Sequence, residues 1–150
     1  MKENPRNIPV VESLRAGILS RDGFMGEDTR PFTEVILDDT AALASAGTNA
    51  VELADKMNRL TKAGLEQVGN EVALGGYRVT VEDYMGRISC PFRDHRAPKR
   101  NTVVVDKAGR QMSWTALGVH LIRVHGFFQG KGAPYRLEPA ELADFLKDLE

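Results

Sequence analysis

The chain changes its hydrophobic period twice. Between Pro31 and Gly69 apolar residues recur every three to four positions, which predicts helices. In PFTEVILDDTAALASAG, residues 31–47, Ile36, Thr40, Leu43 and Gly47 share one face, Thr33 is placed to cap the start, and Gly47 supplies a stop. A second helix is expected from Thr48 or Asn49, with Leu53, Met57, Leu60 and Gly64 as its buried stripe and an end close to Gly69. The short connection makes the two a helical hairpin.

From residue 71 the period falls to two. Val72 and Leu74 precede a Gly75-Gly76 turn, after which Tyr77, Val79 and Val81 alternate with polar residues, the pattern of a β-hairpin. A second hairpin is expected where Val103-Val104-Val105 leads through a polar turn with Lys107 and Gly109 to a strand ending near Trp114. The stretch RISCPFRDHRAPKR between them, residues 87–100, reads as a loop with two prolines. The helical period then returns: Ser113 or Thr115 caps a helix that runs to His125 with Gly126 as its left-handed stop, and Pro139 opens a last helix with Leu142, Phe145, Leu146 and Leu149 on one face. The sum is an α+β fold in a single domain over residues 15–150: an N-terminal helical hairpin, two antiparallel β-hairpins and two C-terminal helices. Residues 1–14, with Pro5 and Pro9 and no period, are expected to form a flexible arm.

Charge adds a division that the pattern does not carry. The net charge is −1, yet residues 1–86 hold 9 Lys/Arg against 14 Asp/Glu, residues 87–136 hold 10 against 2, and residues 137–150 hold 1 against 5. The basic segment 87–136 suits phosphates or other anions, or else pairs with the acidic ends of its own chain. No apolar run reaches the roughly 18 residues of a membrane span, and the first residues lack the pattern of a secretory leader, so a cytoplasmic protein is expected. One cysteine leaves no internal disulfide to form.

The rare residues fall inside the basic segment. All three histidines and the cysteine lie there as two pairs of equal spacing, Cys90-x4-His95 and His120-x4-His125. One thiolate and three imidazoles form a tetrahedral zinc shell, with ligands arriving as two local pairs. Turn, hairpin and helix in that order resemble treble-clef zinc modules over about 40 residues. This stretch differs in having no Cys-x-x-Cys knuckle and no ligand pair in the first helical turn. At about 100° per residue, Leu117, Leu121, Val124 and Phe128 form the apolar stripe of that helix, with His120 and His125 flanking it about 140° apart. The two therefore meet only if the helix ends at Gly126. Taken singly, each residue has a plainer role: a buried small apolar Cys90, a solvated His95, a His120 at the edge of the core, and a His125 complementing the helix dipole.

The loop cations Arg93, Arg96, Lys99 and Arg100 suit salt-dependent, weakly specific nucleic-acid binding, and the aromatic residues of the same segment offer stacking surfaces or core. Gly130, Lys131 and Gly132 can fold into an anion-holding nest, though a flexible turn is the plainer reading. No nucleophile elbow or His-Glu-x-x-His motif occurs. Three readings follow. The first is a zinc-stabilised protein with a basic surface for nucleic acid or another phosphate-bearing ligand. The second is a metal-dependent hydrolase using His95, His120 and His125, with Asp94 or Asp106 as base. The third is a metal-free interaction module that meets a partner, or its own copy as a homo-oligomer, through Phe127 and Phe128.

Overall fold

The computed structural model describes residues 4–150. Residues 1–3, the start of the expected arm, lie outside the described residues. The remainder of that arm is a 3-10 turn at Pro5–Asn7 followed by a short helix, α1 (Ile8–Ser13), after which Leu14 is buried. Two longer helices follow, α2 (Phe32–Ser45) and α3 (Ala50–Leu65). The strands β1 (Val72–Leu74), β2 (Tyr77–Ser89), β3 (Arg96–Val105) and β4 (Gln111–Thr115) come next, and the chain closes with α4 (Ala116–His125) and α5 (Pro139–Leu146). The fold is α+β.

The four strands form one antiparallel meander in the order β1-β2-β3-β4. The turn at Gly75-Gly76 pairs Leu74 with Tyr77 and Val72 with Val79, as the alternation predicts. The segment expected to be a loop at 87–100 differs. Its ends are strand: β2 continues to Ser89 and β3 starts at Arg96, so the loop shrinks to the six residues Cys90 to His95. A bulge between Tyr84 and Arg87 shifts the register, and Pro98 pairs where β2 resumes. Proline and charge hid this ribbon, because a twisted strand pair beside a bulge accommodates a missing N–H and exposes polar residues on both faces.

Two cores lie on the helical layers. The first gathers Leu53, Met57 and Leu60 of α3, Val79, Val81 and Val104 of the sheet, Val119 and Ile122 of α4, and Leu142, Phe145 and Leu146 of α5. The stripe expected for α3 is buried in full, and Gly64 within it lets the helix lie close on β2, since a Cβ there would meet Val81 Cγ2 at 2.5 Å. On α2 the buried face is Phe32, Val35, Asp39 and Leu43, one step round from the expected one. Asp39 belongs inside because Arg136 meets it with two bonds, at 2.8 and 2.9 Å. Thr33 does not cap; α2 starts after Pro31 with no side-chain cap.

The second core packs Leu14, Phe24, Phe32 and Val35 from the N-terminal third against Cys90, Ala97, Leu117, Leu121 and Phe127. α4 thus serves both cores, with Leu117 and Leu121 turned to one and Val119 and Ile122 to the other. Val124, placed on the stripe by the helical period, is 54% exposed. Among the described residues no helix is long and apolar enough to cross a membrane.

Candidate metal centre

The loop at the tip of the β2–β3 ribbon is short and tightly closed. Cys90 N–H donates to the His95 carbonyl at 2.8 Å, Arg93 N–H donates to the Cys90 carbonyl at 2.9 Å, and Arg93 takes a left-handed φ of 63°. Phe92 N–H points at Cys90 Sγ from 3.4 Å, a bond of the kind that steadies a metal-bound sulfur. The turn brings Cys90 and Asp94 to the same side.

The opposing face comes from α4. Thr115 caps its start by accepting from Gly118 N–H at 2.9 Å, and Gly126 ends it at φ 63°, as its sequence predicts. Gly126 N–H bonds the Ile122 carbonyl and Phe127 N–H the Leu121 carbonyl, which fixes His125 as the last helical residue. His120 and His125 then reach the ribbon tip from either side of the buried Leu121, with ring centres 5.4 Å apart.

Both imidazoles address one carboxylate. His120 Nε2 lies 3.1 Å from Asp94 Oδ1, His125 Nε2 lies 2.9 Å from Asp94 Oδ2, and Cys90 Sγ lies 3.8 Å from His125 Nε2. One donor atom from each of Cys90, Asp94, His120 and His125 falls within 4.8 Å of the others. Bond lengths of about 2.0–2.1 Å to nitrogen or oxygen and 2.3 Å to sulfur give tetrahedral edges of about 3.3 and 3.6 Å. The contacts of 2.9, 3.1 and 3.8 Å lie near those edges and the widest spacing is 4.8 Å, so these residues could hold a metal ion after small side-chain shifts.

Three of the four residues expected as ligands meet here, and His95 does not join them as a donor. Its ring stacks on His120 with centres 4.4 Å apart, while Phe92 stacks on His125 at 3.9 Å. The tip therefore alternates donors, Cys90 and Asp94, with plates that hold the imidazoles in place. Asp94 is the fourth donor of the group, a residue whose expected role in the sequence was that of a base. Its signal was position: it lies four residues after Cys90 in a turn that needs a left-handed residue at Arg93.

Burial pushes the Cys90 thiol up to about 12, and the neighbouring Asp94 carboxylate adds to the rise. Burial also pushes the Asp94 carboxyl up, but its contacts with Cys90, His120 and His125 outweigh that and hold it down at about 2. Burial lowers the His125 imidazole against the pull of Asp94. A buried, protonated thiol is a poor nucleophile. The geometry agrees, because His125 faces both Sγ and Asp94 with the same Nε2, whereas a relay to a nucleophile uses opposite ring nitrogens.

Comparison with known proteins yields no match: no family model, no curated protein and no solved structure matches this chain.

The anion-binding residues expected from the sequence divide. Arg93, Arg96 and Lys99 are exposed along the ribbon and its tip. Arg100, on β3 rather than in a loop, is joined to its strand neighbour Asp83 at 2.6 Å. Lys131 is exposed, but its backbone N–H already donates to the Asp28 carboxylate at 3.1 Å and its carbonyl accepts from Glu27 N–H at 2.9 Å. Asp28 itself is held well below the usual carboxylate range by its bond to Arg30. Of the backbone at 130–132, weighed as an anion nest beside the plainer turn, the Lys131 N–H thus meets a carboxylate of its own chain and the Gly130 N–H a carbonyl. Phe127 and Phe128, considered as a docking pair, are buried in the two cores.

Proposed function

We propose that this protein is a zinc-stapled α+β module that offers the exposed cations of its β2–β3 ribbon to phosphates, foremost those of nucleic acid. The observation that carries this reading is the convergence of Cys90, Asp94, His120 and His125 within 4.8 Å. One sulfur, two imidazoles and a carboxylate form a donor set that suits zinc and disfavours magnesium or calcium. Four protein donors fill a tetrahedral shell, so the ion's work is structural. It ties the ribbon tip to the last turn of α4. Cys90 gives up its proton on coordination, so zinc uptake releases acid and weakens as pH falls.

Support for the anionic partner lies in which cations are left over. Arg100, Arg110, Arg123 and Arg136 of the basic segment have carboxylate partners in Asp83, Asp106 and Asp144, Asp55, and Asp39 and Glu138. Arg87, Arg93, Arg96 and Lys99 are exposed on the ribbon, with no carboxylate partner among the described residues. Such cations bind phosphate without reading bases.

Metal analysis of the chain purified without added metal tests the site. The expected result is about one zinc per chain, a fall in Tm on chelation, and loss of both the zinc and the chelator effect in Cys90→Ala and Asp94→Ala. Asp94 lies at the exposed tip, so its variant keeps the test usable if Cys90→Ala does not fold. Protein free of zinc that binds none on addition, or variants that retain it, would overturn the reading.

A further inference from the structure

A cavity of 480 Å³ opens beside the ribbon and shares none of the four residues of the metal cluster. Gln129 forms a portion of its wall. This residue is 5% exposed, and its Oε1 is the one buried side-chain oxygen or nitrogen among the described residues without a hydrogen-bond partner. It also adopts φ 73°, a left-handed conformation that residues other than glycine rarely take. Arg136 holds it there by donating to its carbonyl at 2.6 Å. A buried orphan acceptor and an unusual backbone at one residue mark a position kept for something other than stability.

The rest of the wall describes what would fit. Tyr84 and Tyr135 are 55% and 61% exposed, leaving aromatic surface free at the cavity. Arg21, Lys99 and Arg100 line it against the single carboxylate of Asp22, and Arg100 is already engaged by Asp83. Arg21 and Lys99 have no carboxylate partner among the described residues. The ligand must bring an N–H or O–H donor for Oε1, a flat face for tyrosine and a negative group for the two cations. A volume of 480 Å³ is that of an ordinary small-molecule site.

We propose that this cavity binds a nucleoside monophosphate unit, with the Gln129 side chain turning outward to bring its unpartnered Oε1 to the base and the phosphate near Lys99 and Arg21. The unit is either a free nucleotide or an unpaired nucleotide of a single strand. The site stands apart from the zinc reading, because none of the metal donors lines it.

Calorimetric titration of the full chain with AMP, CMP, GMP and UMP, and with 5′-phosphorylated hexanucleotides of the same bases, tests the proposal. At least one monophosphate binds, and the matching nucleoside without phosphate binds about tenfold or more weakly. Gln129→Leu loses at least about tenfold in affinity yet melts higher than the parent, because an apolar side chain of similar size removes an unsatisfied oxygen. Lys99→Ala, at an exposed position, weakens binding and its salt dependence, and it serves if Gln129→Leu does not fold. A hexanucleotide that binds more tightly than its monophosphate identifies a strand as the source, and equal affinity identifies the free nucleotide. No binding by any of these probes, or unchanged affinity in both Gln129→Leu and Lys99→Ala, would overturn the proposal. Arg93 and Arg96 lie outside the cavity, so a failure confined to their variants would bear on the ribbon face alone.

Discussion

At the residue scale, the question is which side chain completes the set begun by Cys90, His120 and His125. Asp94 bonds both imidazoles, and His95 stacks on one of them, so the two neighbours should behave differently when removed. His95→Ala should keep a full equivalent of zinc with affinity lowered by about tenfold, the cost of losing a residue that orients a ligand. Asp94→Ala should lose far more, and competition with a chromogenic chelator measures both. Retention of zinc by Asp94→Ala together with its loss in His95→Ala would reverse the assignment. A second residue effect lies far from this cluster. Asp39 and Arg136 are buried together, with side chains 8% and 4% exposed. Arg136→Met strands Asp39 and should cost about 3–5 kcal/mol in urea unfolding, whereas Asp39→Leu combined with Arg136→Met should recover most of it. The sequence made Cys90, His120 and His125 visible because such residues are rare in it. It did not make Asp94 or Asp39 visible, because acids are common on surfaces and only a partner from a distant stretch of the chain draws one inward.

At the element scale, α3, α5 and the first hairpin were legible because each buries one face, and burying one face imposes a period. The β2–β3 ribbon was not, because its far half exposes residues on both sides and no period survives. The end of α4 was legible from one glycine. Its left-handed φ and the room around it, where a Cβ would lie 3.6 Å from Ile36 Cγ2, set the cost of Gly126→Ala at about 1 kcal/mol, which is conformational alone. Gly130 is the contrast. Its N–H bonds the Phe24 carbonyl, and a Cβ there would meet the Met25 carbonyl oxygen at 2.2 Å. Gly130→Ala must push these backbone segments apart and should cost roughly 3 kcal/mol or more, with the N-terminal third losing its place on the second core. Urea midpoints of the two variants compare the costs directly. Equal destabilisation would show that the 23–27 and 130–133 segments do not lock together.

At the scale of the whole molecule, a net charge of −1 describes neither face of this protein. Acids from both ends of the chain reach into the basic segment: Asp39, Asp55 and Asp83 come from before it and Glu138 and Asp144 from after it, and between them they take up four arginines, Asp39 and Glu138 sharing Arg136. Much of the segregation seen in sequence therefore closes on itself when the chain folds. The remainder does not, and Arg93, Arg96 and Lys99 stay exposed along one ribbon whose tip carries Cys90 and Asp94. If this remainder binds nucleic acid, its contribution has a fixed signature: each phosphate contact contributes about 0.9 to the slope of log K against log salt on a duplex, and about 0.7 on a single strand. Replacing Arg93, Arg96 and Lys99 together by glutamine should lower that slope by about 2 to 3 and weaken mixed-sequence binding uniformly. Lys107→Gln, in the turn at the opposite end of β3, should leave the slope as it was. A slope unchanged by the triple substitution would assign the ribbon's charge to solubility alone.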